Sequence, residues 1–324
     1  MRKMISILMI SLMSLTACTV SEERAPDQDN IVETPQENPA ETPTETSSDN
    51  DGIDMEVVAA FKESIEDADD PLEIRESMEL IMKTESDKTS DAVLSAYLEY
   101  LNEYKNNDIE PIFDEIQKLQ PYFEEGTQNL FEESITEESL KDLYNRFTQM
   151  GYKFVQIEGS VEPIVDYAIV KDYSAFISEE MIAYGEFRSL ESRQMWAADG
   201  GIVIPLVELG ERIAKAEAFI KAYPDSELKP HVLEYLGFYL SGFLGGLDNT
   251  PSVVGEKYNP DFISAYEAFL ASHPNTETAK VLKTYYEELK QTDFEAPYLE
   301  NDPDSLHAFR EEISSIVDTI INGL

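Results

Sequence analysis

Residues 216–227 read AEAFIKAYPDSE, and residues 266–277 read YEAFLASHPNTE. The two phrases share a register 50 residues apart: Ile213 answers Ile263, Ala218 answers Ala268, Phe219 answers Phe269 and Pro224 answers Pro274. Each begins as the end of an amphipathic helix. The residue before proline, Tyr223 or His273, is driven out of the helical region, so the helix stops there. Asp225-Ser226 or Asn275-Thr276 then offers a side-chain cap to a new helix. The segments that follow carry Val232, Leu233, Leu236 and Leu240, and Val281, Leu282, Tyr285, Tyr286 and Leu289, at helical spacing. Each phrase is therefore a helix–turn–helix corner. Neither pair of helices buries its apolar face alone, and stacking the pairs does. The expected fold class is all-α, built of stacked helical pairs.

These corners resemble the tetratricopeptide-like repeats of exported bacterial proteins, over about residues 205–290. The 50-residue spacing departs from the usual repeat of about 34 residues. The surplus falls in Gly245–Ser252 and its continuation to Pro260, which reads as a loop inserted between repeats.

Upstream the chain is also helical. Asp69-Asp70-Pro71 announces a helix running to Lys83. Ala92, Val93, Ala96, Tyr97, Tyr100, Leu101 and Tyr104 form one apolar stripe, and Ile112, Phe113, Ile116 and Leu119 another. Thr136-Glu137-Glu138 opens a helix bearing Leu140, Leu143, Tyr144 and Phe147, which Gly151 stops. The texture then changes. Residues 152–159, YKFVQIEG, alternate apolar and polar, and 161–167 are rich in branched residues. A β-hairpin near 152–167 is expected. Helices over 171–197, closed by Gly200-Gly201, and over 202–222 follow. The folded part thus divides into a helical region 53–150 and a second, 151–324, that carries the repeats. The stretch GYKFVQIEGSVEPIVDY (151–167) is similar to lipoproteins of Gram-positive bacteria, a likeness that implies no activity.

The N-terminus carries the compartment signal. Met1-Arg2-Lys3 precedes a largely apolar run of twelve residues, MISILMISLMSL (4–15), whose last residue opens Leu15-Thr16-Ala17-Cys18. Such a run has signal-peptide length and is too short for a transmembrane helix. Leu15–Cys18 resembles the lipobox of bacterial lipoproteins. That resemblance implies removal of residues 1–17, acylation of Cys18 and a lipid anchor at the outer face of the cytoplasmic membrane. Cys18 is the sole cysteine, so no disulfide is available and the fold must hold by packing. Residues 18–52 read as a disordered tether: acidic, rich in Pro and Thr, with the triplet Glu-Thr-Pro at 33–35 and again at 41–43. As a flexible coil it spans roughly 30–35 Å. Asp49-Asn50-Asp51-Gly52-Ile53-Asp54 has the look of a calcium loop but lacks its closing bidentate acid, so calcium binding is unsupported and helix capping by Asp51 or Asp54 is expected.

The formal net charge is −42, and losing Arg2 and Lys3 with the signal peptide makes it −44. A field of that sign repels nucleic acid and anionic lipid headgroups. His231, His273 and His307 lack metal-ligand spacing, and neither a GxSxG elbow nor a P-loop occurs. No cofactor is expected. Among so many acids only Glu158 and Asp166 stand out, since they lie among apolar and aromatic residues in non-helical chain. Tyr152, Tyr167 and Tyr184 could join them. Arg188 and Arg193, from a scarce supply of cations, lie close to the only tryptophan, Trp196. Either each arginine pairs with a local acid, Glu186 or Glu191, and Trp196 fills core, or Arg188 and Trp196 open a closed pocket offering a cation to an anion and a ring to a ring or sugar. The functional expectation is a non-enzymatic protein-binding or scaffolding module with an envelope protein partner. The alternatives are a small-ligand receptor with its pocket near 152–196 and, third, an envelope hydrolase working through Glu158 or Asp166.

Overall fold

Eleven α-helices and four short antiparallel β-hairpins make up the described chain. The computed structural model describes residues 52–324, apart from 67, 69, 108, 125–129 and 299–301. Residues 1–51, which include the expected signal peptide, Cys18 and all of the expected tether but Gly52, lie outside the described residues. Among the described residues no helix is long and apolar enough to cross a membrane.

Helix α1 (Met55–Glu66) starts at Asp54, whose Oδ1 accepts from the amides of Glu56 and Val57 at 3.0 and 3.1 Å. That is the capping role expected of Asp51 or Asp54, and Asp51 lies outside the described residues. Helix α2 (Pro71–Met82) is capped by Asp70, which accepts from Leu72 N at 3.0 Å, with Pro71 at the first helical position. Helix α3 (Asp87–Asn107) lays its stripe of Val93, Ala96, Tyr97, Tyr100 and Leu101 into the core and packs on α1 and α2.

The stripe at 112–119 does not make a continuous helix. It is a 3₁₀ turn at Glu110–Ile112, the five-residue α4 (Phe113–Gln117) and a second 3₁₀ turn at Gln120–Tyr122. Pro121 lacks the amide a continuing helix needs, which ends the run after α4. Phe113 is left 38% exposed while Ile116 and Leu119 are buried.

Helix α5 (Glu138–Met150) ends at Gly151, whose φ of +104° takes the left-handed cap. Two tyrosines tie this end to α3. Tyr97 OH donates to Met150 O at 2.6 Å, and Tyr152 OH donates to Leu101 O. The expected hairpin follows as β1 (Tyr152–Ile157) and β2 (Ser160–Val165), joined by Glu158 and Gly159 with φ of +50° and +80°. Two positive φ values in a two-residue loop match the twist of the flanking strands. The side-chain amide of Gln117 bonds both Val161 O and Val161 N, at 2.8 and 2.9 Å, and so covers part of the edge of β2.

The single helix expected over 171–197 is three pieces. A 3₁₀ segment spans Tyr167–Tyr173, α6 spans Glu179–Arg193, and β3 (Ala197–Ala198) pairs with β4 (Gly201–Ile202). Asp199 and Gly200, at φ of +49° and +66°, form the tip of that hairpin. Ser178 breaks the helical run by capping α6 through Met181 N at 3.1 Å, and its own amide donates to Asp91 of α3 at 2.9 Å.

Helices α7 (Leu206–Ala222) and α8 (Lys229–Gly245) flank the first corner, and α9 (Pro260–Ser272) and α10 (Glu277–Gln291) the second. The stretch 245–260 is two hairpins, β5 (Gly246–Leu247) with β6 (Thr250–Pro251) and β7 (Val253–Val254) with β8 (Lys257–Tyr258). The two corners differ in detail. Thr276 Oγ1 caps α10 through Ala279 N at 3.1 Å, as expected, whereas Ser226 Oγ accepts from Leu228 N and α8 begins only at Lys229. Pro230 at the second position of α8 has no amide to be capped, which removes the need for Ser226 there. Helix α7 packs on α6, α8 and α9, α9 packs on α10, and α11 (Pro303–Asn322) closes against α8 and α10. Buried apolar side chains from α1 through α11 form one continuous core.

Candidate binding cleft

Tyr167, Tyr184 and Arg188 meet in space, although their elements differ. The Arg188 guanidinium lies 4.1 Å from the Tyr167 ring centre and 4.5 Å from that of Tyr235 on α8. Its Nη1 donates to Tyr184 OH at 2.8 Å and its Nη2 to Tyr235 OH at 3.1 Å, while Nε is buried with no partner. Burial alone would lower the affinity of Arg188 for its proton. The phenols of Tyr167, Tyr235 and Tyr184 outweigh that and hold it above the ordinary arginine range. Burial pushes the Tyr184 phenol up to about 12, against the pull of Arg188. The expected ion pair with Glu186 or Glu191 is absent, because the cage already satisfies both terminal nitrogens and Glu191 is taken elsewhere. Stacked between two rings, the cation pins the 167–173 turn, α6 and α8 together, at about 0.5–2 kcal/mol per ring contact.

Glu191 belongs to a second network. It accepts from Arg212 Nη1 at 2.5 Å, from Tyr239 OH at 2.6 Å and from Trp196 N at 3.2 Å. Arg212 is 2% exposed and also pairs with Glu208 at 2.8 Å. Trp196 packs edge-on against Tyr239 with ring centres 5.9 Å apart. Two tyrosine rings, Tyr235 and Tyr239, stand between it and Arg188. Among the described residues these rings occupy the space between Arg188 and Trp196, and the half-buried indole packs against the core.

The remaining expected residues scatter. Tyr152 is 1% exposed and its hydroxyl is spent on Leu101. Glu158 stands exposed in the β1–β2 turn, not among apolar neighbours. Asp166 sits past the far end of β2, where it caps the 3₁₀ segment through Ala168 N at 3.1 Å and accepts from Ser192 Oγ at 2.9 Å. A six-residue strand separates the two carboxylates by about 20 Å at the usual rise. They share no site, and this geometry lends a hydrolase nothing.

What the fold does build is an open cleft of about 650 Å3 between the 167–173 turn, α6 and α7. Ile182, Leu190, Phe219 and Tyr223 give it an apolar lining, and Tyr167 joins it to the Arg188 cage. Lys171, Arg193 and Lys215 bring three cations, against one acid, Glu186. None of the three makes an ion pair among the described residues. The cleft overlaps the expected 152–196 region but is centred on its far edge. Lys171 and Lys215 lie 44 residues apart in sequence, and only the packing of the 167–173 turn and of α7 against α6 unites them. Among the described residues no group of three or more His, Cys, Asp or Glu is placed to hold a metal ion.

No protein-family model, no curated protein and no solved structure matches the chain. The cleft's own chemistry is therefore the guide to function.

Proposed function

We propose that this chain is an exported, lipid-anchored, non-enzymatic binding protein whose α7–α8 and α9–α10 pairs stack in the tetratricopeptide-like manner and present the α6–α7 cleft to a protein partner in the cell envelope. The observation that carries the reading is the cleft itself. In a chain of net charge −42, three cations without ion-pair partners surround an apolar lining. Apolar walls with a few convergent charged groups are the usual chemistry of a binding site. The stacking is supported by Glu217 of α7, whose carboxylate accepts from the first amides of α10 and so couples one corner to the next. The anchor rests on Leu15–Cys18 alone.

The test is in-cell crosslinking of the full-length protein, read by mass spectrometry. Cys18→Ala and Lys171→Glu/Lys215→Glu forms run alongside. The expected result is one protein partner in near-stoichiometric amount, diminished in both variants. An abundant, membrane-bound protein that crosslinks to nothing would overturn the reading. A second reading, a receptor for a small anionic molecule, draws on the cleft's size, which lies within the ~300–1,000 Å3 typical of small-molecule sites.

A further inference from the structure

Two clefts flank α7, and one residue lines both. The first is the α6–α7 cleft. The second, of about 640 Å3, lies on the opposite flank of α7, against the corner between α9 and α10. Lys221, Pro224, His273, Asn275 and Lys280 belong to its lining. The shared residue is Ala218, exposed on α7. Where the two clefts meet, the helix offers only a methyl group, so no long side chain of that residue stands between them.

Cations outnumber acids along this path. Lys171, Arg193 and Lys215 line the first cleft and Lys221 the second. Lys280 adds a fifth cation, paired with Glu277 at 2.5 Å. The acids are fewer and mostly engaged. Glu217 is 5% exposed and bonded to the amides of Glu277 and Thr278, and Glu277 pairs with Lys280, which leaves Glu186.

We propose that the two clefts form one groove across Ala218, and that the groove binds an extended acidic segment of a polypeptide partner. This rests on the binding-protein reading and adds the partner's chemistry. Crossing a helix about 10 Å wide with a cleft on each flank takes about 20 Å, which suits roughly six extended residues. The apolar linings need apolar side chains between the acids, and a uniformly charged polymer has none to offer. The strongly negative body repels any polyanion that runs far beyond the groove, which selects a short acidic segment.

The experiment uses the full chain and a fluorescein-labelled ten-residue peptide that alternates Asp or Glu with Leu or Phe, read by anisotropy. A peptide with Lys in place of each acid and a polyglutamate of equal length are the comparisons. The acidic–apolar peptide is expected to bind saturably, at least ten-fold tighter than either comparison. Ala218→Trp, Lys215→Glu and Lys221→Glu are each expected to weaken it at least five-fold, with unchanged circular dichroism and melting temperature. Loss of binding in Lys215→Glu but not in Ala218→Trp or Lys221→Glu would overturn the groove in favour of a single cleft. Equal binding of polyglutamate would show that charge alone suffices and would overturn the assignment of an acidic segment with apolar side chains between its acids. Saturable binding of none of the probes would overturn the proposal outright. Recovery of a crosslinked partner in cells would still uphold the broader reading in each of these cases.

Discussion

The carboxylate of Glu217 accepts from the amide of Thr278 at 2.8 Å, across sixty-one residues of sequence and from one helical pair to the next. Its other oxygen accepts from Glu277 N at 2.7 Å. Free amides and a partial positive charge are what the start of α10 presents, and a buried carboxylate answers both. The equivalent acid of the second phrase, Glu267, accepts instead from the hydroxyl of Tyr286.

Removing Glu217 should therefore loosen the second corner. Glu217→Ala strands two inward-facing amides at a cost of about 2 kcal/mol, or roughly 4–8 °C in Tm. Glu217→Gln keeps one acceptor and should cost about half as much. Chemical denaturation checks the magnitudes, and faster hydrogen exchange at Glu277 and Thr278 checks the location. Unchanged exchange there would mean that Thr276 alone caps α10.

Gly242 approaches Trp196 more closely than any side chain permits. A Cβ built at Gly242 would lie 2.3 Å from the indole ring. Gly242→Ala must push the indole away from Tyr239, at about 1–3 kcal/mol for overpacking. Trp196 is the sole tryptophan, so its emission reports the displacement directly. A red shift and a lowered denaturation midpoint are expected. Unchanged emission would show that the indole does not rest on α8 in solution.

How much of this was legible beforehand follows from what each signal depends on. Residues that act on near neighbours could be read. Pro224 and Pro274 stop helices, Asp54 and Asp70 cap them, and Glu158-Gly159 turns a hairpin, all through local backbone chemistry. The hairpin at 197–202 was missed because four pairing residues give too short a period to see. The arginines differ for another reason. Sequence proximity offers Glu186 or Glu191 as the local partner of Arg188 and Arg193, yet Glu191 bonds Arg212 and Tyr239 of other helices. The cleft joins Lys171, Arg193 and Lys215 through packing alone, which no local pattern records.

Arg188 offers an unusual substitution series. Its cage holds phenols and ring faces, with no carboxylate ion-paired to it among the described residues, and Nε is unsatisfied. Arg188→Met keeps an unbranched stem between Tyr167 and Tyr235 and removes a buried charge, so its cost should stay near 1 kcal/mol. Arg188→Ala empties the space between the rings and should cost about 3 kcal/mol. Equilibrium denaturation of both variants decides the matter. Equal costs would show that the charge, not the packing, holds the turn to α6 and α8.

Alkaline pH should unfold the protein through its tyrosines. Among the described residues, ten phenols are raised above their ordinary value near 10, most by burial. Tyr184 reaches about 12 through burial, and Tyr286 about 12 through its hydrogen bond to Glu267. A folded pKa above the unfolded one means that the unfolded chain releases protons first as pH rises. The stability these groups contribute is therefore complete below pH about 10 and is lost progressively above it, as the pH climbs toward their folded values. Denaturation midpoints should hold level with respect to these groups up to pH 9.5 and fall steeply between 10 and 12. Phenolate absorbance of the native protein at pH 11 should lag well behind that of the chain in denaturant, then jump as the fold is lost. A smooth rise matching the denatured chain would mean that Tyr97, Tyr184 and Tyr239 are open to solvent, and would undo the packing that joins α3, α6 and α8 to their neighbours.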